Sequence, residues 1–99
     1  MTITINSSDY TKAKKVEIDG QMFELRPMNS SETIAWLNLA ADMQDAKDKK
    51  DMKAFEKTLN KFKDMYFGFW DKPEEAKKIL GNLSVDDWLD IYQKVMKEG

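Results

Sequence analysis

Asp86, Asp87 and Asp90 stand close enough in the sequence to be read as paired catalytic carboxylates. Such a pair works when a walled cleft pushes its two pKa values apart, as in glycoside hydrolysis. Three acids in the first two turns of a helix serve more simply as complements to its positive dipole end and as a capping element. Asp42, Asp45, Asp48 and Asp51 recur every three residues and could offer oxygen ligands to Ca²⁺ or Mg²⁺. An EF-hand loop needs Gly at its sixth position and Glu at its twelfth. This run has no Gly and is interleaved with lysines, so a metal site is not expected. Lys49, Lys53, Lys57 and Lys61 form a four-step ladder. It is either a surface for an acidic partner or a solvated helical face, helped by pairs such as Asp45 with Lys49.

The densest apolar run is Met65-Tyr66-Phe67-Gly68-Phe69-Trp70. It reads first as the centre of the core, because both faces of a helix there would be apolar. Its sharper reading is an adaptable partner groove, built from Met65, Tyr66, Phe69 and Trp70 with Trp36 and some of the seven Met. Met and aromatic side chains suit a surface that accepts amphipathic helices of varied sequence.

The rest of the inventory narrows the chemistry. The chain has no His and no Cys. It therefore lacks an imidazole base, the usual zinc and haem ligands, a thiolate nucleophile and a disulfide framework. A Ser nucleophile would need Lys or a carboxylate as its base. We expect no enzyme activity and no cofactor. Formal net charge is −2 and only Arg26 among the 16 basic residues is Arg, which disfavours nucleic-acid backbones as partners. No stretch of about 18 apolar residues is present to span a membrane. Met1 to Tyr10 does not have the pattern of a secretory signal, so cytoplasmic residence is the default expectation.

The elements that would position these residues follow from local pattern. Residues 1–12 form a polar arm in which Thr2-Ile3-Thr4-Ile5 alternates like a short strand; it is either frayed or pairs with a partner's sheet edge. Residues 14–28 read as a β-hairpin. Val16 and Ile18 alternate with charges, Asp19-Gly20 suits a two-residue turn, and Phe23 and Leu25 alternate again. That turn sets Val16 opposite Phe23 and puts all four apolar residues on one face. Pro27 ends the second strand.

Asn29-Ser30-Ser31-Glu32 reads as a helix start. One apolar patch follows, with Ile34, Trp36, Leu37, Leu39, Ala40 and Met43. A second, Met52, Phe55, Leu59, Phe62, Tyr66 and Phe69, is spaced 3, 4, 3, 4, 3. One unbroken helix through both would be roughly 55 Å long, so a break near residues 47–51 and an antiparallel pair are expected. The alternative is a long helix that projects and joins an oligomer. Gly68 closes the second helix. Asp71 or Lys72 caps a short helix from Pro73 to Leu80, with Gly81 as its C′ residue, and Ser84 opens the last helix. The expected fold is α+β and mainly α, with an N-terminal β-hairpin packed on a small bundle of three to four helices. It is a single domain over 1–99, with residues 30–98 helical.

This order of elements resembles the small tail assembly chaperones of long-tailed bacteriophages and prophages. The resemblance is carried by the hairpin Val16-Glu17-Ile18-Asp19-Gly20-Gln21-Met22-Phe23-Glu24-Leu25-Arg26-Pro27-Met28. A Ser-capped helix and an acidic helical remainder follow, ending in Leu83-Ser84-Val85-Asp86-Asp87-Trp88-Leu89. It implies a non-enzymatic protein of the bacterial host cytoplasm that coats the helical tape measure protein, keeps it soluble and helps recruit tail tube subunits. It also implies self-association and, in many members, a longer frameshifted form. Partner-binding residues would come from Trp36, Met65, Tyr66, Phe69 and Trp70 and from the ladder Lys49, Lys53, Lys57 and Lys61. The alternative is a structural component of a phage or mobile element, a head–tail connector or minor tail protein acting by protein contacts. A small Asp/Ser hydrolase and a nucleic-acid-binding regulator rank below both.

Overall fold

The computed structural model describes residues 1–98. The one-turn helix α1 (Ser8–Thr11) precedes strands β1 (Lys14–Ile18) and β2 (Gln21–Leu25). Four longer helices follow: α2 (Ser30–Asp48), α3 (Met52–Phe67), α4 (Pro73–Leu80) and α5 (Val85–Glu98). The fold is α+β and mainly α, as expected.

The hairpin has the expected antiparallel register, with Val16 opposite Phe23. Asp19 and Gly20 both take positive φ, 49° and 83°, which is what a two-residue turn of this hand needs. Phe23 and Leu25 are buried, and Val16 and Ile18 on the same face are half-buried. A segment without helix period closes the outer edge of β2. Leu25 pairs with Trp70, Arg26 N–H donates to the Phe69 carbonyl at 3.0 Å, and Asp71 N–H donates to the Glu24 carbonyl at 3.0 Å. Asp71 is therefore not a helix cap. Its Oδ1 accepts the Glu24 N–H at 2.9 Å, and Lys72 stands at the N-cap of α4 without a capping side-chain bond.

Residues 2–5 form no strand. Ile3 and Ile5 are exposed, and no sheet edge among the described residues is paired with them. Alternation alone cannot hold a strand whose backbone groups have no ladder partner.

Arg26 fastens the hairpin to α2. Its two guanidinium nitrogens meet both Glu32 carboxylate oxygens at 2.7 and 2.6 Å. Its Cζ lies 4.9 Å from the centre of the Phe69 ring. Glu32 also completes a capping box with Asn29, accepting the Asn29 N–H at 3.1 Å while Asn29 Oδ1 accepts the Glu32 N–H at 2.8 Å.

The long-helix alternative is excluded, because α2 and α3 are separated at residues 49–51. Asp51 N–H donates to the Ala46 carbonyl and Lys50 N–H to the Lys47 carbonyl. That is the Schellman pattern, which places its C′ residue in the left-handed region. The residue there is Lys50, at φ 55°. A non-glycine residue in that region costs about 1 kcal/mol. Asp51 then caps α3 by accepting the Ala54 N–H.

The core is an aromatic cluster. Tyr66 stacks on Trp88 with ring centres 5.4 Å apart, and Trp36 packs on Phe62 at 4.2 Å. Phe23 meets Trp70 edge-on at 5.9 Å. Tyr92 Oη accepts the Met28 N–H at 2.8 Å, and Trp88 Nε1 donates to the Leu80 carbonyl at 2.7 Å, so α5 is tied to the segment leading into α2 and to α4. Ser84 and Asp87 cap α5 reciprocally. The molecule is flat, with extents of 55 × 36 × 17 Å.

Gly81 is not in the left-handed conformation expected of a C′ glycine; its φ is −62°. It is required for space instead, since a Cβ there would overlap the Lys77 carbonyl oxygen. Gly81→Ala should lower the thermal midpoint by at least about 4 °C, corresponding to roughly 1 kcal/mol or more. Gly68→Ala, whose Cβ would sit 3.3 Å from two carbonyl oxygens, should cost less in the same melt.

The Arg26 guanidinium holds the Glu32 carboxyl down at about 2, against an ordinary 4.5. Because the folded value is the lower one, the contribution is complete above about pH 4.5 and is lost as the pH falls toward 2. Solvent reaches 45% of the Arg26 side chain and 24% of Glu32, so screening reduces the effect to about 1 kcal/mol. Urea midpoints measured between pH 6 and pH 2.5 should fall, and Glu32→Gln should flatten part of that fall.

Candidate partner-binding groove

The aromatic run lies inside the molecule. Trp36, Tyr66, Phe69 and Trp70 are buried and Met65 is half-buried. They pack on one another and on Phe23, Phe62 and Trp88, and of the five Met65 keeps part of its surface open. Phe69, placed by spacing at the end of the α3 stripe, stands beyond the helix and belongs to the strap along β2.

Lys53, Lys57 and Lys61 are exposed along α3. Lys49 is not on that helix; it is the C-cap of α2 and pairs with Asp45 at 3.1 Å. The acidic series is occupied locally as well. Asp48 accepts the Gln44 amide at 2.9 Å, and Asp51 caps α3. Among the described residues no group of three or more His, Cys, Asp or Glu could hold a metal ion. Asp87 belongs to the α5 cap, while Asp86 and Asp90 are exposed.

Tyr66 Oη and Trp70 Nε1 are buried without a hydrogen-bond partner among the described residues. Burial pushes the Tyr66 phenol up, and the neighbouring Trp70 side chain offsets only part of that. The phenol therefore stays neutral and cannot serve as a base at ordinary pH.

The open apolar feature is elsewhere. A cleft of about 690 Å³ lies where the α2–α3 turn meets the start of α5. From α2 come Ala40, Met43, Gln44 and Lys47, which share one helical face at steps of 3, 1 and 3. Met52 and Phe55 come from the first turns of α3, Lys50 from the turn itself and Val85 from the first position of α5. Met43 is buried, Ala40, Phe55 and Val85 are half-buried, and Met52 is 71% exposed. The lining thus grades from a covered floor to an open rim. Leu37, also exposed, continues the line of Ala40 and Gln44 one turn back along α2. The track from Leu37 to Lys47 is about 15 Å long, three turns of a docked helix. A second cleft beside β2 is smaller, and two of its polar groups are already used. Lys72 Nζ donates to the Met22 carbonyl at 3.2 Å, and Asp71 accepts from Glu24.

Met43 and Met52 belong to the two apolar patches legible in the sequence. Their convergence with Lys47, Lys50 and Val85 depends on the turn and on where α5 begins. The available signal was that each apolar patch runs right up to the polar segment 44–51, where a short turn leaves its last members without a partner helix.

No protein-family model, curated protein or solved structure matches the chain. No helix among the described residues is long and apolar enough to cross a membrane.

Trp70→Ala should remove core contacts and cost about 3–5 kcal/mol. Met52→Ser should move the thermal midpoint by less than about 4 °C, because an exposed side chain contributes little to the core. Parallel thermal melts of the two variants separate core from groove.

Proposed function

We propose that the protein is a non-enzymatic helix-binding chaperone of the phage tail assembly type, which holds segments of the tape measure protein until tail tube subunits assemble around it. The observation that carries this reading is the open groove at the α2–α3 turn, with Met43 at its floor and Met52 at its rim. A tape measure protein is long and helical, and its apolar stripes need cover before the tube forms. A groove with methionine walls can adapt to successive helices that differ in sequence, since the unbranched thioether repacks at low cost. The hairpin leading into α2 is part of the pattern on which the family resemblance rests and supports the same assignment, although the cap of α2 is Asn29 where the resemblance has Ser. Recruitment of tube subunits is part of the proposal and would use surface outside the groove.

Co-expression with the tape measure protein of the same genome is the direct test. Wild type should keep that protein soluble and elute with it as a complex on gel filtration. Met52→Asp places a charge on the apolar wall and should abolish the complex while leaving the thermal midpoint within about 4 °C of wild type. A tape measure protein that stays insoluble, with no complex eluting, would overturn the reading.

A further inference from the structure

Resting on the helix-binding reading above, we propose that the groove selects amphipathic helices with an acidic flank, and that Lys47 and Lys50 recognise that charge. Both lysines line an otherwise largely apolar cleft. Neither is in an ion pair among the described residues, so both ammonium groups are open to an incoming carboxylate. The nearby carboxylates lie outside the cleft lining, and several have partners of their own. Asp45 is paired with Lys49, Asp48 holds Gln44, Asp51 caps α3 and Asp87 caps α5. Asp86, next to Val85, remains as the exposed carboxylate at the α5 side. The charged side chains that line the cleft are thus both cationic, in a chain whose net charge is −2.

Lys50 adds an independent observation. It occupies a left-handed position, φ 55°, where glycine is the least strained residue. The turn is held by backbone bonds to Ala46 and Lys47, which any residue could supply. Its ammonium makes no hydrogen bond or ion pair to a described residue. The ammonium thus gives the fold no polar contact, and strain of this kind accompanies functional positions. An incoming helix lying along Leu37, Ala40 and Gln44 would bring its flank past Lys47 and Lys50. A carboxylate there would pair with an ammonium beside apolar surface, where screening is weaker than in open water.

The test uses the full chain and three synthetic amphipathic helical peptides. They share one Leu/Met apolar face and carry Glu, Gln or Lys on the flank. Binding is read by fluorescence anisotropy at 50 and 300 mM NaCl. The Glu peptide should bind at least tenfold more tightly than the Lys peptide at low salt, with the Gln peptide between them, and the gap should shrink at high salt. Lys47→Glu with Lys50→Glu should reverse the order. Lys50→Gly should weaken the Glu peptide several-fold while raising the thermal midpoint by roughly 4 °C, a pair of opposite effects that a purely structural lysine would not give. Equal binding of all three peptides, unaffected by charge reversal, would overturn the charge selection and leave the helix groove standing. Binding by none of them would overturn the groove as a helix site. Self-association abolished by Lys47→Glu with Lys50→Glu would make a second copy the occupant, and would also overturn the proposal.

Discussion

The backbone pairing of Phe69–Asp71 with Glu24–Arg26 joins the hairpin to the helices, and both halves depend on it. A two-stranded hairpin cannot bury its own apolar face and is marginal in water. Here the strap covers the outer edge of β2, carrying Trp70 to the buried face of the hairpin and Phe69 to a place under Arg26. Trp70 meets Phe23 from the hairpin, and Tyr66, one turn back on α3, meets Trp36 from α2 and Trp88 from α5. The strap thereby sets where α3 ends and where the aromatic cluster forms. Arg26 adds a polar fastening on the outside, stacked on Phe69 and forked onto the first turn of α2. One arginine thus links strand, strap and helix.

Features written in local pattern were legible in the sequence. The hairpin register follows because only a turn at Asp19-Gly20 gathers Val16, Ile18, Phe23 and Leu25 on one face. The Asn29–Glu32 box follows from residue types three apart, and the break near 47–51 from the limit that compactness sets on helix length. What failed was tertiary. Asp71 has the right type and place for a cap, but the Glu24 N–H competes for its carboxylate and wins. The strap has no period to detect, because its pairing depends on a strand more than 40 residues earlier. Gly81 was found as a helix terminator for the wrong physical reason, close approach replacing left-handed φ. In the turn the reverse holds, for the left-handed position there falls to Lys50, which carries no sequence signal for it.

The same contrast applies to the site. Aromatic and methionine content pointed to surface work, but composition does not distinguish side chains that build a core from those that line an opening. The densest aromatic run was needed to fill the space between four elements, so its area is spent inside. Apolar area stays open where no residue is large enough to bridge neighbouring elements.

That condition is met at the α2–α3 turn. Three residues link the helices, so their axes are held close at the turn, and α5 arrives beside them at Val85. The side chains facing that junction from α2 and α5 include Ala40 and Val85, both too short to fill it. The longer ones, Met43, Met52 and Phe55, line its walls instead of closing it. Small residues opposite flexible ones leave a space that a partner's side chains can enter, with thioethers able to follow their shape. Because the aromatic cluster already holds the fold together, the exposed rim of this junction is free to vary its packing.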